Sequence, residues 1–191
     1  MTKKQLLISL GLIIFTAAGG IIFGFFWGKQ KDQAQFYFAA HGSNATVYLN
    51  QKNLGSAPIK AYRLQSGLYE LTVETDYYRY TTPLQFTPGT ASIVDWYGSD
   101  SLEKSGGIIY ELIPQAQKEP NLQINSFPER AIINFPGDST PLFTPVKNYS
   151  LKHTDLHEFT ITLPGYKSLS IPFTLSPYYT LKITAKLARD F

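Results

Sequence analysis

The pattern of apolar and polar positions divides the chain into two unequal parts. From Gln5 to Gly28 run 24 consecutive residues without a charge, crowded with Leu, Ile and Phe. As a helix this run would be roughly 36 Å long, enough to cross a hydrocarbon core of ~30 Å with some tilt. A cleaved leader is the competing reading, because Thr16-Ala17-Ala18-Gly19 imitates a small-residue cleavage site. The apolar region of a leader would span only about 7–15 residues. Here Ile21-Ile22-Phe23-Gly24-Phe25-Phe26-Trp27 carries the run straight past that site. The length therefore predicts a retained single transmembrane helix over 5–28, with a short tail at 1–4, a juxtamembrane linker at 29–35 and Trp27 at an interface.

After the linker no long segment keeps the period of a helix, and the period falls to two. Tyr69, Leu71 and Val73 alternate with Leu68, Glu70, Thr72 and Glu74. Leu181, Ile183, Ala185 and Leu187 alternate with Lys182, Thr184 and Lys186, which predicts a strand with one buried and one wet face. Further strands are expected at Ala45–Leu49, Ser92–Trp96, Ile108–Ile113, Ile132–Phe135 and Phe159–Leu163. Turn chemistry falls between them at Asn50-Gln51-Lys52-Asn53, Pro88-Gly89, Ser105-Gly106-Gly107, Pro136-Gly137 and Pro164-Gly165.

The exterior also repeats itself. Ala45-Thr46-Val47-Tyr48-Leu49, Gly55-Ser56-Ala57-Pro58-Ile59 and Tyr69-Glu70-Leu71-Thr72-Val73 follow the same order as Ala131-Ile132-Ile133-Asn134-Phe135, Asp138-Ser139-Thr140-Pro141-Leu142 and Phe159-Thr160-Ile161-Thr162-Leu163. Each set reads as strand, short hairpin, Pro-apolar pair, connection and alternating strand. Two copies of one small β-domain are expected, at 36–114 and 121–191, joined by a polar linker at 115–120, with a loop at Ser99–Gly107.

On these residues the exterior resembles the PEGA domain family. Pro128-Glu129-Arg130-Ala131, Ser139-Thr140-Pro141-Leu142 and Pro164-Gly165-Tyr166 match its motifs in the second copy. Gly55-Ser56-Ala57-Pro58-Ile59 and Gly67-Leu68-Tyr69-Glu70-Leu71-Thr72-Val73 match them in the first. Gly42-Ser43-Asn44-Ala45 replaces the tetrad in copy one, Arg130 fills the glycine slot in copy two, and Leu156-His157-Glu158 replaces the Gly67 turn. The resemblance implies an all-β exterior of two small Ig-like or transthyretin-like β-sandwiches, outside a bacterial or archaeal cell, with no catalytic residues. It also implies a cytoplasmic N-terminus. Charge alone leaves that undecided, since Lys3 and Lys4 on one flank balance Lys29 and Lys31 on the other.

Composition narrows the partners. Hydrophobic residues make up 43% of the chain, enough to fold. Beyond residue 32 the chain carries 13 basic and 13 acidic residues, so its exterior is formally neutral and nucleic acid is not an expected partner. There is no cysteine, which excludes disulfides and thiolate metal sites. Asn44-Ala45-Thr46 and Asn148-Tyr149-Ser150 match the glycosylation sequon, which matters only in a secretory pathway that reads it.

Four patterns in the sequence could carry chemistry. Thr16, Gly20, Gly24 and Gly28 share one helix face, a surface for packing against a second helix, although glycine is common in membrane helices. His153 and His157, beside Asp155 and Glu158, have metal-ligand spacing only on a helix. On the strand expected there they would lie ~13 Å apart, and a third ligand is missing, so a solvated loop is preferred. Ser101-Leu102-Glu103-Lys104 matches the Ser-x-x-Lys of penicillin-binding enzymes but lacks their Ser-Asp-Asn and Lys-Thr-Gly elements. Tyr77, Tyr78, Tyr80, Trp96 and Tyr97 could pave a sugar-binding platform or a protein contact, against the plainer reading of rings packing the sheets. The resulting expectation is a non-enzymatic, single-pass surface protein without metal or cofactor, its C-terminal domains extracytoplasmic. It would contact envelope polymer or another protein. A cell-wall carbohydrate-binding module or an accessory subunit of a membrane complex is the alternative.

Overall fold

The structure, a computed structural model, describes residues 32–151 and 158–190. The apolar run with Thr16, Gly20, Gly24 and Gly28, and the His153–His157 pair, lie outside the described residues. Among the described residues no helix is long and apolar enough to cross a membrane. The regular structure described is all β, arranged in three sheets.

The first half contributes β1 (Gln33–His41), β2 (Thr46–Leu49), β3 (Lys52–Ser56), β4 (Ile59–Gln65), β5 (Gly67–Glu74), β6 (Arg79–Phe86) and β7 (Ala91–Tyr97). After β8 (Gly106–Pro114) the second half adds β9 (Asn121–Phe127), β10 (Ile132–Asn134), β11 (Leu142–Phe143), β12 (Val146–Tyr149), β13 (Glu158–Thr162), β14 (Leu169–Pro172) and β15 (Tyr179–Lys186). The alternation at 68–74 forms β5, with Leu71 and Val73 buried and Leu68 and Glu70 exposed. Asn50 and Gln51 make a two-residue hairpin with φ of 46° and 66°, the left-handed pair that matches strand twist. β1 already begins at Gln33, inside the stretch read as linker.

The two halves are joined through one sheet. A seven-stranded sheet runs β12-β9-β15-β8-β7-β1-β4, flanked by four-stranded sheets β3-β2-β5-β6 and β11-β10-β13-β14. β1 is antiparallel to β4 and parallel to β7, and β9 is likewise antiparallel to β12 and parallel to β15. Both β7 and β15 run antiparallel to β8. A half-turn about β8 therefore exchanges the halves and swaps the faces of the shared sheet.

Burial confirms the swap. Successive residues of a strand point to opposite faces; Ile108 belongs to the core of the second half, while Ile109 packs against that of the first. Phe36, Phe38, Val73, Leu84, Phe86 and Trp96 fill the first core, and Ile124, Ile133, Phe159, Ile161, Ile171 and Ile183 the second.

Three expectations are corrected. Gly106 and Gly107 are no turn: they open β8, where a Cβ on Gly107 would sit 2.7 Å from the Trp96 ring. The polar side of β15 is only partly wet, because its Lys186 end faces the first half across the shared sheet and is 9% exposed, while Lys182 and Thr184 are half-buried. The Pro-apolar pair of the second half is Pro145-Val146, where Pro141-Leu142 was expected. Thr144 donates its N–H to the Ala131 carbonyl as Ala57 does to that of Ala45, and Val146 opens β12 as Ile59 opens β4.

Candidate functional site

The five aromatics named as candidate surface residues are divided by the sheets, and Tyr78, Tyr80 and Trp96 follow the plainer reading of rings packed between strands. Trp96 is 2% exposed and lies in the first core, so it cannot pave a surface. Tyr80 stacks on it with centroids 4.9 Å apart, and the Tyr78 hydroxyl accepts the indole N–H at 3.1 Å. These rings pack across the interior between β6 and β7, because the missing side chain of Gly107 leaves room beneath the indole. Tyr77 and Tyr97 are exposed, and they do not adjoin: Tyr77 tips the β5–β6 turn, while Tyr97 ends β7. Tyr97 stacks on His41 and donates its hydroxyl to Asp95 at 2.7 Å, and Asp95 is also 2.8 Å from the His41 Nε2. That hydroxyl bond, with burial and the Asp95 charge, raises the Tyr97 pKa to about 12.

Ser101 and Lys104 serve the loop that holds them. The Ser101 hydroxyl accepts the Lys104 backbone N–H at 3.4 Å, and the Lys104 ammonium lies 3.5 Å from Asp100. Arg130, in the glycine slot, adopts φ +64°, the left-handed backbone that glycine takes freely. Among the described residues no three His, Asp or Glu gather as a metal site.

Sequence reasoning missed the seam between the halves. Glu111 in β8 is 5% exposed, lies 2.7 Å from the Lys182 ammonium, and accepts the Gln85 N–H of β6 at 3.1 Å. Lys186 donates to the carbonyls of Leu102 and Ser105 and lies 5.9 Å from the Tyr80 and Trp96 ring centroids. Its burial lowers its pKa. The signal in the sequence was the paired apolar residues Ile108-Ile109, which mark a strand covered on both faces.

The opposite face of β7 and β8 is open and apolar. A groove of about 520 Å³ is floored by Ile93, Tyr110 and Leu112 and walled by Pro172 and Phe173. Ile93 is 45% exposed. Burial, then the charges of Asp95 and Tyr97, raises the Tyr110 pKa to about 12. The half-turn relates this face to a polar one on the second half, where Gln123 and Asn125 of β9 pair with Lys182 and Thr184 of β15. The two edges differ as well. Glu111 caps an outward N–H of β6, whereas β14, the end strand beside the groove, has the apolar Tyr110 and Leu112 below it.

Residues 39–95 match the family model of the PEGA domain. The match runs from within β1 to within β7, less than a third of the chain, and no second PEGA copy is found. It takes in Gly42, Gly55 and Gly67, with φ of 85°, 103° and 146°. The counterpart strands of the second half repeat the PEGA segment's pairing without being matched. No curated protein matches the chain.

Proposed function

We propose that this chain is a non-enzymatic, membrane-anchored module of the cell envelope that holds a partner protein in the groove beside β14. The anchor is the apolar run at 5–28. The β-structure stands outside the membrane as two sandwiches, the second a diverged copy of the PEGA-matched first. The PEGA domain is a β-domain often found in surface or envelope proteins, which supports that placement.

The observation that carries the reading is the apolar floor of Ile93, Tyr110 and Leu112 lying next to the end strand β14. An extended polypeptide can add hydrogen bonds to a strand edge and lay alternate side chains on such a floor. A glycan brings no ladder of backbone donors, and burial of Trp96 removes the ring best suited to a sugar platform. The Gly20, Gly24 and Gly28 face supports a second arrangement, in which the same module is an accessory subunit joined to a complex through its helix.

The test uses the full chain in native envelope membranes. Partner proteins that co-purify with the unaltered chain should be lost with Ile93→Asp and kept with Tyr77→Ala. Loss with Gly24→Leu alone would move recognition to the helix. Retention on purified cell-wall polymer that survives Ile93→Asp would overturn the groove and favour glycan.

A further inference from the structure

The register of the shared sheet places one set of strand ends at a single pole. β1 starts at Gln33, whose carbonyl accepts the Gly89 N–H at 2.8 Å, and the Asp32 carbonyl accepts the Ser66 N–H at 2.8 Å. β8 ends at Pro114, opposite Tyr179, the first residue of β15, and Asn121 at the start of β9 pairs with Thr180. The turns before β7, after β8 and before β15 thus share the pole from which β1 leads back toward the N-terminus. His41, Tyr97, Gly106 and Lys186 end their strands at the opposite pole, and Tyr77 lies there with Gly42 and Ser43.

The two poles differ in chemistry. The far pole carries Asp76, Asp100, Glu103, Lys104, Lys167 and Arg189 around the exposed rings of Tyr77, Tyr97 and Phe127. At the near pole Pro88, Pro114, Pro177 and Tyr178 are exposed, with Asp32, Arg63, Lys118 and Glu119 as exposed charges. Tyr178 is 53% exposed and is held at φ +66°. Two backbone bonds fix it to that linker: its N–H donates to Lys118 at 3.2 Å, and its carbonyl accepts the Gln115 N–H at 2.9 Å. An exposed tyrosine is thus fixed among prolines where the sheet ends.

The length of chain before the sheet sets where this pole can lie. Between Gly28, the end of the apolar run, and Gln33 stand residues 29–32. Fully extended, such a tether spans at most roughly 18 Å. Tyr178 is about three strand spacings from β1 along the sheet, roughly 14 Å, at the level of Asp32 next to the tether.

We infer that this pole is a second membrane contact, with Tyr178 and Pro177 seated in the lipid headgroup layer and the shared sheet standing upright on the bilayer. The inference rests on the anchor proposed above. The chemistry fits lipid: tyrosine is an interfacial residue, with a ring for the acyl boundary and a hydroxyl for water. The far pole, with six charged side chains, is turned to the medium, and the groove beside β14 is left open sideways to its partner.

The absence of cysteine permits a direct test on the full chain. Single variants Tyr178→Cys, Tyr77→Cys and Phe25→Cys would each carry a fluorescent label in vesicles of phosphatidylethanolamine and phosphatidylglycerol. Spin-labelled lipids would quench at headgroup depth or in the acyl core. The expected result is deep quenching at position 25 and headgroup quenching severalfold stronger at position 178 than at position 77. Deep quenching at 25 with none at 178 would overturn the second contact and leave the anchor standing. Equal quenching at 178 and 77 would overturn the upright posture. No quenching at 25 would overturn the anchor and this inference together. Unchanged circular dichroism for Tyr178→Cys is the check that the turn survives.

Discussion

Lys186 offers the sharpest test of how the two halves are joined. Lys186→Met keeps a flexible apolar side chain and removes the ammonium. Two bonds are lost, to the Leu102 carbonyl at 2.7 Å and the Ser105 carbonyl at 2.5 Å. Hydrogen bonds to a charged group contribute roughly 1.5–3 kcal/mol each. The low end applies here, because the lowered pKa of Lys186 shows that burial is not fully compensated. The expected loss is therefore about 3 kcal/mol. Urea unfolding of the full chain in nanodiscs would measure it, read by Trp96 fluorescence in a Trp27→Phe background.

The pH dependence gives an independent reading. The folded pKa lies below the unfolded value of 10.5. In that window the unfolded chain binds more protons, so stability rises with pH toward 10.5. Lys186→Met lacks the rise, and the gap between the two proteins should widen as the buffer is made alkaline. A loss under ~0.5 kcal/mol, the range of ordinary surface changes, or a gap that narrows with pH, would refute this account of the seam.

Two other outcomes follow from packing and charge. Gly107→Ala places a Cβ 2.7 Å from the Trp96 ring and 2.9 Å from the Asp95 carbonyl. An overpacking loss of roughly 1–3 kcal/mol should lower the midpoint of thermal melting, and an unchanged midpoint would mean the indole is free to shift. Tyr97 and Tyr110 both titrate at about 12 when folded, against 10.0 unfolded. The protonated phenols stabilise the fold below pH 10 and lose that contribution as pH rises toward 12. Tyrosinate absorbance should show late phenols that include these two, and Asp95→Asn should bring the titration of Tyr97 down; ordinary titration of both in the folded chain would contradict the Asp95 contacts.

Much of the β-structure was legible because local patterns carry it. The alternation at 68–74 and 181–187 and the turn at Asn50-Gln51 need no distant contact to be read. The shared sheet needs one. Lys186 looks solvated until the first half covers it, and Gly106-Gly107 looks like a turn until Trp96 needs the space. Which of the aromatic candidates pack inside is hidden for the same reason. Sequence spacing puts Tyr80 and Trp96 in neighbouring patches, but only the pairing of β6 with β5 and of β7 with β1 shows that they meet inside. The groove was invisible because Ile93 and Leu112 read as ordinary strand residues, and nothing local says which face is left uncovered.

The pairing of β1 has a mechanical consequence. It is flanked by β7 over seven registered pairs on one side and by β4 on the other. With the chain held at its N-terminal end and a partner pulling along the strands, the load runs along β1. Its hydrogen bonds to both neighbours are then strained together, in shear, rather than opened singly from one end. Resistance to such a pull is governed by the rate of unfolding. In the proposed arrangement, traction between the anchor and a bound partner would be borne by these paired ladders in shear, whatever the affinity of the grip itself.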